Sequence, residues 1–221
     1  MIDFAAARAN MVECQVRPND VTDMRIQQAM ARIPREAFLP RSQQSLAYMG
    51  EHVPVGEGRF LLEPRCFAKL LQAARIDPSD AVLDIGCATG YSSAVLADLA
   101  DAVVGLECDQ ELARMAGEAL AEMGVDNAAV MTTDLAGGCP DQGIFDVIFL
   151  NGAIEIEPST LLDQLKDGGR LVAVLAGKTG NHACLFTKTV HGGEEIIDKQ
   201  VVFDASSPVL PGFERPEKFV F

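Results

Sequence analysis

The pattern of apolar and polar positions changes rhythm along the chain. In its first third, apolar residues recur at helical spacing. Asp3 caps a run rich in helix formers, Phe4 to Val12, which Arg17-Pro18-Asn19-Asp20 interrupts. Asp23 caps a second helix whose apolar face is Ile26, Ala29, Met30 and Ile33. A long segment, Ala47 to Arg59, carries Gly50, Pro54, Gly56 and Gly58 and reads as a loop, the kind that in compact proteins is usually functional or mobile. Pro64 opens a helix to about Ala74, with Phe67, Leu70 and Leu71 on one face.

From Ala81 onward, short apolar runs alternate with amphipathic ones. The predicted strands are Ala81–Ile85, Ala102–Glu107, Ala128–Thr132, Phe145–Leu150 and Arg170–Ala176. Helices are predicted from Tyr91 to Ala100, from an Asp109 cap to Gly124, and from Pro158 to Gly168-Gly169. Two alternating runs, His182–Val190 and Glu194–Phe203, flank His191-Gly192-Gly193, a hairpin signal. The tail from Phe203 to Phe221 is expected to pack along the domain surface or, as the alternative, to dock a second subunit. This order predicts an α/β protein with an open, mostly parallel sheet and an antiparallel C-terminal edge. An N-terminal helical extension with its loop (residues 1–76) would pack on a Rossmann-like domain (residues 77–221) as one structural unit.

Ligands of such sheets sit beyond the carboxyl ends of the strands, where Asp84, Glu107, Asp134 and Asn151 would surround one crevice. The first of these strands runs through Asp84-Ile85-Gly86-Cys87-Ala88-Thr89-Gly90-Tyr91 into a helix start. Glycines there let backbone approach a ligand, and the helix start offers free N–H groups. A dinucleotide fingerprint would need glycine where this chain has Ala88 and Tyr91. Asp84 instead suits an ammonium, and Glu107 suits the hydroxyls of a ribose. Ammonium, ribose and base together describe S-adenosylmethionine.

Composition narrows the partners. Almost half of the residues are apolar (48%) and 23% are charged, an ordinary globular balance. The net charge of −14 argues against a nucleic-acid partner, which needs clustered cations. Six cysteines lack CxxC spacing and three histidines lack ligand spacing, so no metal site is expected and the cysteines read as reduced in a cytoplasmic protein. No signal peptide and no membrane span are apparent.

Four ordered stretches resemble the protein-L-isoaspartate O-methyltransferase family, over roughly Asp23 to Gly177. They are Asp23–Met30 with Ile33–Pro40, Ala47-Tyr48 with Val53–Gly58, Val82–Tyr91 with Ala94–Ala97, and Leu161–Val172. The resemblance implies a Rossmann-like S-adenosylmethionine-dependent methyltransferase that esterifies a carboxylate of damaged proteins bearing isoaspartyl residues. The cofactor-binding set it implies is Asp84, Gly86, Cys87, Ala88, Thr89, Gly90, Glu107, Cys108, Asp134 (beside the adenine amino group), Leu135 and Asn151. Arg35-Glu36 matches the family signature and also reads as an ion pair, whereas His52 has no evident partner.

The acceptor loop departs from the pattern. After Gly58 the family reads Gln-Thr-Ile-Ser, and here the chain reads Arg59-Phe60-Leu61-Leu62, so both hydroxyls are gone. Gly50 replaces the aspartate usual after Ala-Tyr-x. A hydrogen bond to a charged group contributes about 1.5–3 kcal/mol, so losing one predicts transfer slowed roughly ten- to a hundred-fold unless another donor substitutes. Arg59 could pair with a carboxylate or lie solvated, and Phe60 and Leu62 could line an apolar substrate pocket. The departure leaves two further readings open: a methyltransferase with a different acceptor, and a catalytically silent cofactor-binding module.

Overall fold

The structure, a computed structural model, describes residues 2–178 and 180–216. Residues 217–221, the end of the predicted surface tail, lie outside the described residues. Helices α1 (Phe4–Met11) and α2 (Met24–Arg32) start at the expected caps, with Asp3 accepting from Ala6 N and Asp23 from Arg25 N. The chain does not break after α1. It continues through a wide turn, Val12–Val16, and a tight one, Arg17–Asn19, and Asp20 in the left-handed region ends it. The segment expected to be loop contains a short hairpin, β1 (Val53–Gly56) with β2 (Arg59–Leu61), turning on Gly58 at φ +63°. Helix α3 (Pro64–Ala74) follows.

The main sheet comprises β3 (Ala81–Ile85), β4 (Ala102–Glu107), β5 (Ala128–Thr132), β6 (Phe145–Ile154), β7 (Leu165–Gly177), β8 (Gly180–His191) and β9 (Glu194–Asp204). Between them run α4 (Tyr91–Ala97), α5 (Gln110–Glu122) and a single turn, α6 (Ser159–Leu162). The helix expected up to Gly168-Gly169 stops at Leu162, because the chain already enters β7 at Leu165. Strand order is β5-β4-β3-β6-β7-β8-β9, parallel as far as β7 and antiparallel beyond it. The sheet is therefore mostly parallel with an antiparallel C-terminal edge, as the sequence predicts.

Alternation along the strands divides the core. Val82, Val147, Phe149 and Val172 face a layer with Met30, Phe38, Phe67, Leu71, Tyr91 and Val95 from the N-terminal helices and α4. Leu83, Ile85, Ile148, Leu150 and Leu171 face Leu161 and the tail residues Leu210 and Phe213. Each such side chain removed from water contributes about 1.5–3 kcal/mol. The central position of β3, between β4 and β6, makes its carboxyl end the switch point of the sheet.

Candidate active site

Beyond β3 the chain turns on Gly86 (φ +72°), Ala88 (φ +51°) and Gly90 (φ +94°). Ala88 holds a left-handed conformation that costs a non-glycine residue roughly 1–2 kcal/mol. The bond that retains it runs from Ala88 N–H to Glu107 Oε2, 2.8 Å away at the end of β4. Gly90 is needed for packing: a Cβ there would meet Ala116 Cβ of α5 at 3.0 Å.

Asp84 is fully buried and accepts from Ser92 Oγ (2.7 Å), Ser93 Oγ (2.6 Å) and Asn151 Nδ2 (2.5 Å). Burial pushes its carboxyl up to about 6, the three donors oppose this, and the nearby Glu107 charge adds to it. The expected ammonium ligand thus holds the start of α4 and Asn151 of β6. Asn151, also bound to Ile85 O at 3.2 Å, serves the same junction.

Glu107 is fully buried, with backbone donors at Ala88, Cys108 (2.9 Å) and Asp109 (3.2 Å). Arg59 completes its shell. The guanidinium reaches Glu107 through Nε at 3.1 and 3.2 Å and through Nη2 at 2.8 Å, and the arginine is only 2% exposed. Burial alone would raise the Glu107 carboxyl. The Arg59 pair and the backbone donors outweigh that and hold it below its ordinary value. Arg59 is therefore neither solvated nor turned to an outside carboxylate, because the chain supplies its own.

The remaining predicted residues separate into groups. Thr89 donates its hydroxyl to Phe38 O at 2.7 Å, which ties the turn to the N-terminal extension. Cys87 is buried and its thiol is pushed well above the usual range by burial. Cys108 is exposed. Leu135 is core, and the exposed Asp134 accepts from Gly137 N at 3.2 Å in its own turn. Leu62 is also core, 4% exposed, and borders the same small cavity as Phe60. Phe60 is half-buried beside Gly86 and Asn151.

Two residues gain partners that the sequence did not reveal. Arg35 does not pair with Glu36. It is fully buried, stacks 4.9 Å over the Tyr91 ring, and donates to Ala47 O (2.7 Å) and Leu62 O (2.6 Å), clamping both ends of the acceptor loop. Glu36 instead accepts from the Tyr48 hydroxyl. His52 accepts at Nδ1 from Glu63 N (3.0 Å), which places its other nitrogen as donor to Ser206 O (2.9 Å). It thereby joins the loop to the tail. The signal that would have found Arg35 is its place beside Pro34 in an apolar stretch.

The backbone turn and Glu107 suit a nucleoside-bearing ligand, but the side chains as placed do not. A Cβ built on Gly86 would lie 2.6 Å from Arg59 Nη2 and 2.9 Å from Leu210 Cδ2. The space left among Phe60, Gly86, Cys87 and Asn151 is about 10 Å³, room for one water and no ribose. A larger, open cleft of about 650 Å³ has Glu51, His52, Glu63, Arg65 and Asp204 on its walls. Among the described residues no cluster suits a metal ion, and no helix is long and apolar enough to cross a membrane.

Comparison with known proteins agrees with this architecture. The family model for protein-L-isoaspartate(D-aspartate) O-methyltransferase matches residues 7–203. The protein-L-isoaspartate O-methyltransferase of Koribacter versatilis is 40% identical over 169 residues, 76% of each chain. That of Roseiflexus castenholzii is 36% identical over 177 residues, covering 80% of this chain and 81% of its own. A solved protein-L-isoaspartate O-methyltransferase superposes with a TM-score of 0.78 at 24% identity, over 93% of this chain and 66% of that one. A Plasmodium falciparum protein solved with S-adenosyl-L-homocysteine gives 0.76 at 19% identity, over 92% and 97%. The chain belongs to the protein-L-isoaspartate(D-aspartate) O-methyltransferase family, whose methyl donor is S-adenosylmethionine.

Proposed function

We propose that the protein transfers a methyl group from S-adenosylmethionine to the free carboxylate of isoaspartyl residues in damaged proteins, in the cytoplasm. The observation that carries this reading is the juxtaposition at the switch point. The Gly86–Gly90 turn and Glu107 form a nucleoside seat, and the loop from Ala47 to Leu62, clamped by Arg35, closes over it. The donor supplies an activated methyl on a sulfonium. An acceptor carboxylate of ordinary pKa, about 4, is already ionised at neutral pH, so the protein needs no general base. Its task is alignment and exclusion of water. The buried loop ends and half-buried Phe60 suit that task.

Residues 1–76 would serve as the acceptor-facing extension and residues 77–221 as the donor domain. Thr89 to Phe38 O, Arg59 to Glu107 and His52 to Ser206 O support their working as one unit. Six free cysteines support a reducing compartment.

The test is transfer of labelled methyl from S-adenosylmethionine to an isoaspartyl peptide, with the matching aspartyl peptide as control. Labelling confined to the isoaspartyl peptide is expected. Absence of labelling while the same enzyme methylates other proteins in a cell extract would move the acceptor elsewhere. The absence of both loop hydroxyls, at Phe60 and Leu62, is the observation that favours a changed acceptor as the second reading.

A further inference from the structure

We propose that Arg59 is a built-in occupant of the ribose seat, and that cofactor binding is an exchange in which ribose hydroxyls replace its guanidinium on Glu107. This rests on reading the switch-point crevice as the donor site. Arg59 satisfies Glu107 through contacts of 2.8–3.2 Å and overlies Gly86, the position where backbone would have to meet the ligand. A Cβ built on Gly86 would lie 2.6 Å from Arg59 Nη2, so a ligand meeting that backbone has to displace the guanidinium.

The arrangement is built so that Arg59 can leave. Three backbone donors, from Ala88, Cys108 and Asp109, stay on Glu107 when the arginine departs. The carboxylate therefore remains held in position for hydroxyl donors. Arg59 is carried on β2 of a two-stranded hairpin that, among the described residues, has no strand partner in the main sheet, and whose register slips between Pro54 and Gly56. Once turned outward, the guanidinium recovers its hydration. The cofactor thus meets a protein whose receptive form is a fraction of the whole, and its apparent affinity is reduced by that fraction. Arg59 is a gate on donor binding, acting by occupancy.

The experiment measures binding of S-adenosylhomocysteine by calorimetry to wild type, Arg59→Gln and Arg59→Ala, after circular dichroism has confirmed folding. The neutral variants should bind at least tenfold more tightly than wild type. In parallel, the Arg59 Nε–H signal of the wild-type protein is followed by NMR. It should be protected from solvent exchange in the free protein and lose that protection at saturating S-adenosylhomocysteine. Equal or weaker binding by the variants overturns the exchange but leaves the donor site standing, as does wild-type binding with Arg59 still protected. Failure of wild type and variants alike to bind would overturn the donor site and the gate together. Should the variants not fold, the NMR measurement on wild type decides.

Discussion

Asn151 donates its side-chain amide to Asp84 at 2.5 Å, joining β6 to the end of β3 across 67 residues of sequence. The bond serves a carboxyl that burial has pushed up to about 6. A raised folded value means the native state binds a proton more tightly than the unfolded chain. The stability Asp84 contributes is complete below pH 4 and is lost as pH rises through 6. From about 3.9 to about 6, the loss is about 3 kcal/mol. Urea unfolding of wild type and Asp84→Asn between pH 4 and 8 should show the wild type losing ground as pH rises. Parallel curves would refute the assignment.

Glu107 titrates in the opposite sense. Its folded value lies below the ordinary one, so its contribution is present above about pH 4.5 and lost as pH falls. Arg59→Ala leaves a buried carboxylate without its cation, which costs about 3–5 kcal/mol at pH 7. That deficit should shrink at pH 3.5, where Glu107 takes up a proton. A deficit independent of pH would mean that Arg59 contributes through packing alone.

Arg35→Lys tests the clamp on the acceptor loop. A lysine has one nitrogen and cannot serve Ala47 O and Leu62 O through a rigid fork. One carbonyl loses a charged donor, at about 1.5–3 kcal/mol. Thermal unfolding should detect this, together with faster proteolysis within the loop. A variant as stable as wild type would leave the loop held by something else.

The two loop substitutions should separate cleanly. Leu62→Ser empties a core position and should cost about 2–4 kcal/mol. Half-buried Phe60→Thr should cost under about 1.5 kcal/mol and restore one hydroxyl beside Gly86 and Asn151. Methyl transfer to an isoaspartyl peptide by Phe60→Thr, compared with wild type, then reports on the loop with the smaller folding penalty. Unchanged rates would remove Phe60 from the acceptor site.

Local signals are legible in the sequence. Asp3, Asp23 and Asp109 announce their helices because capping is a contact between near neighbours. The apolar runs of β3 and β4 match their observed bounds because burial on both faces leaves no other reading. What is not legible depends on distant partners. Arg59 and Glu107 lie 48 residues apart, and nothing near Arg59 marks it as inward-facing. His52 meets Ser206 across 154 residues. The β1–β2 hairpin hides behind its glycines and proline, and the helix after Pro158 is shorter than expected because Leu161, Leu162 and Leu165 fit either period.

The strand order carries a consequence for synthesis. Val82 in β3 pairs on one side with Val103, a near neighbour, and on the other with Val147. A nascent chain can lay down β3, β4 and β5 early, yet Asp84 has no Asn151 until β6 has emerged. The loop anchor at His52 waits for Ser206, 154 residues later. Long-range pairings of this kind form slowly. Until β6 and then Ser206 have left the ribosome the crevice is incomplete, and before β6 emerges the half-made protein exposes the open edge of β3 to chaperones and neighbouring chains.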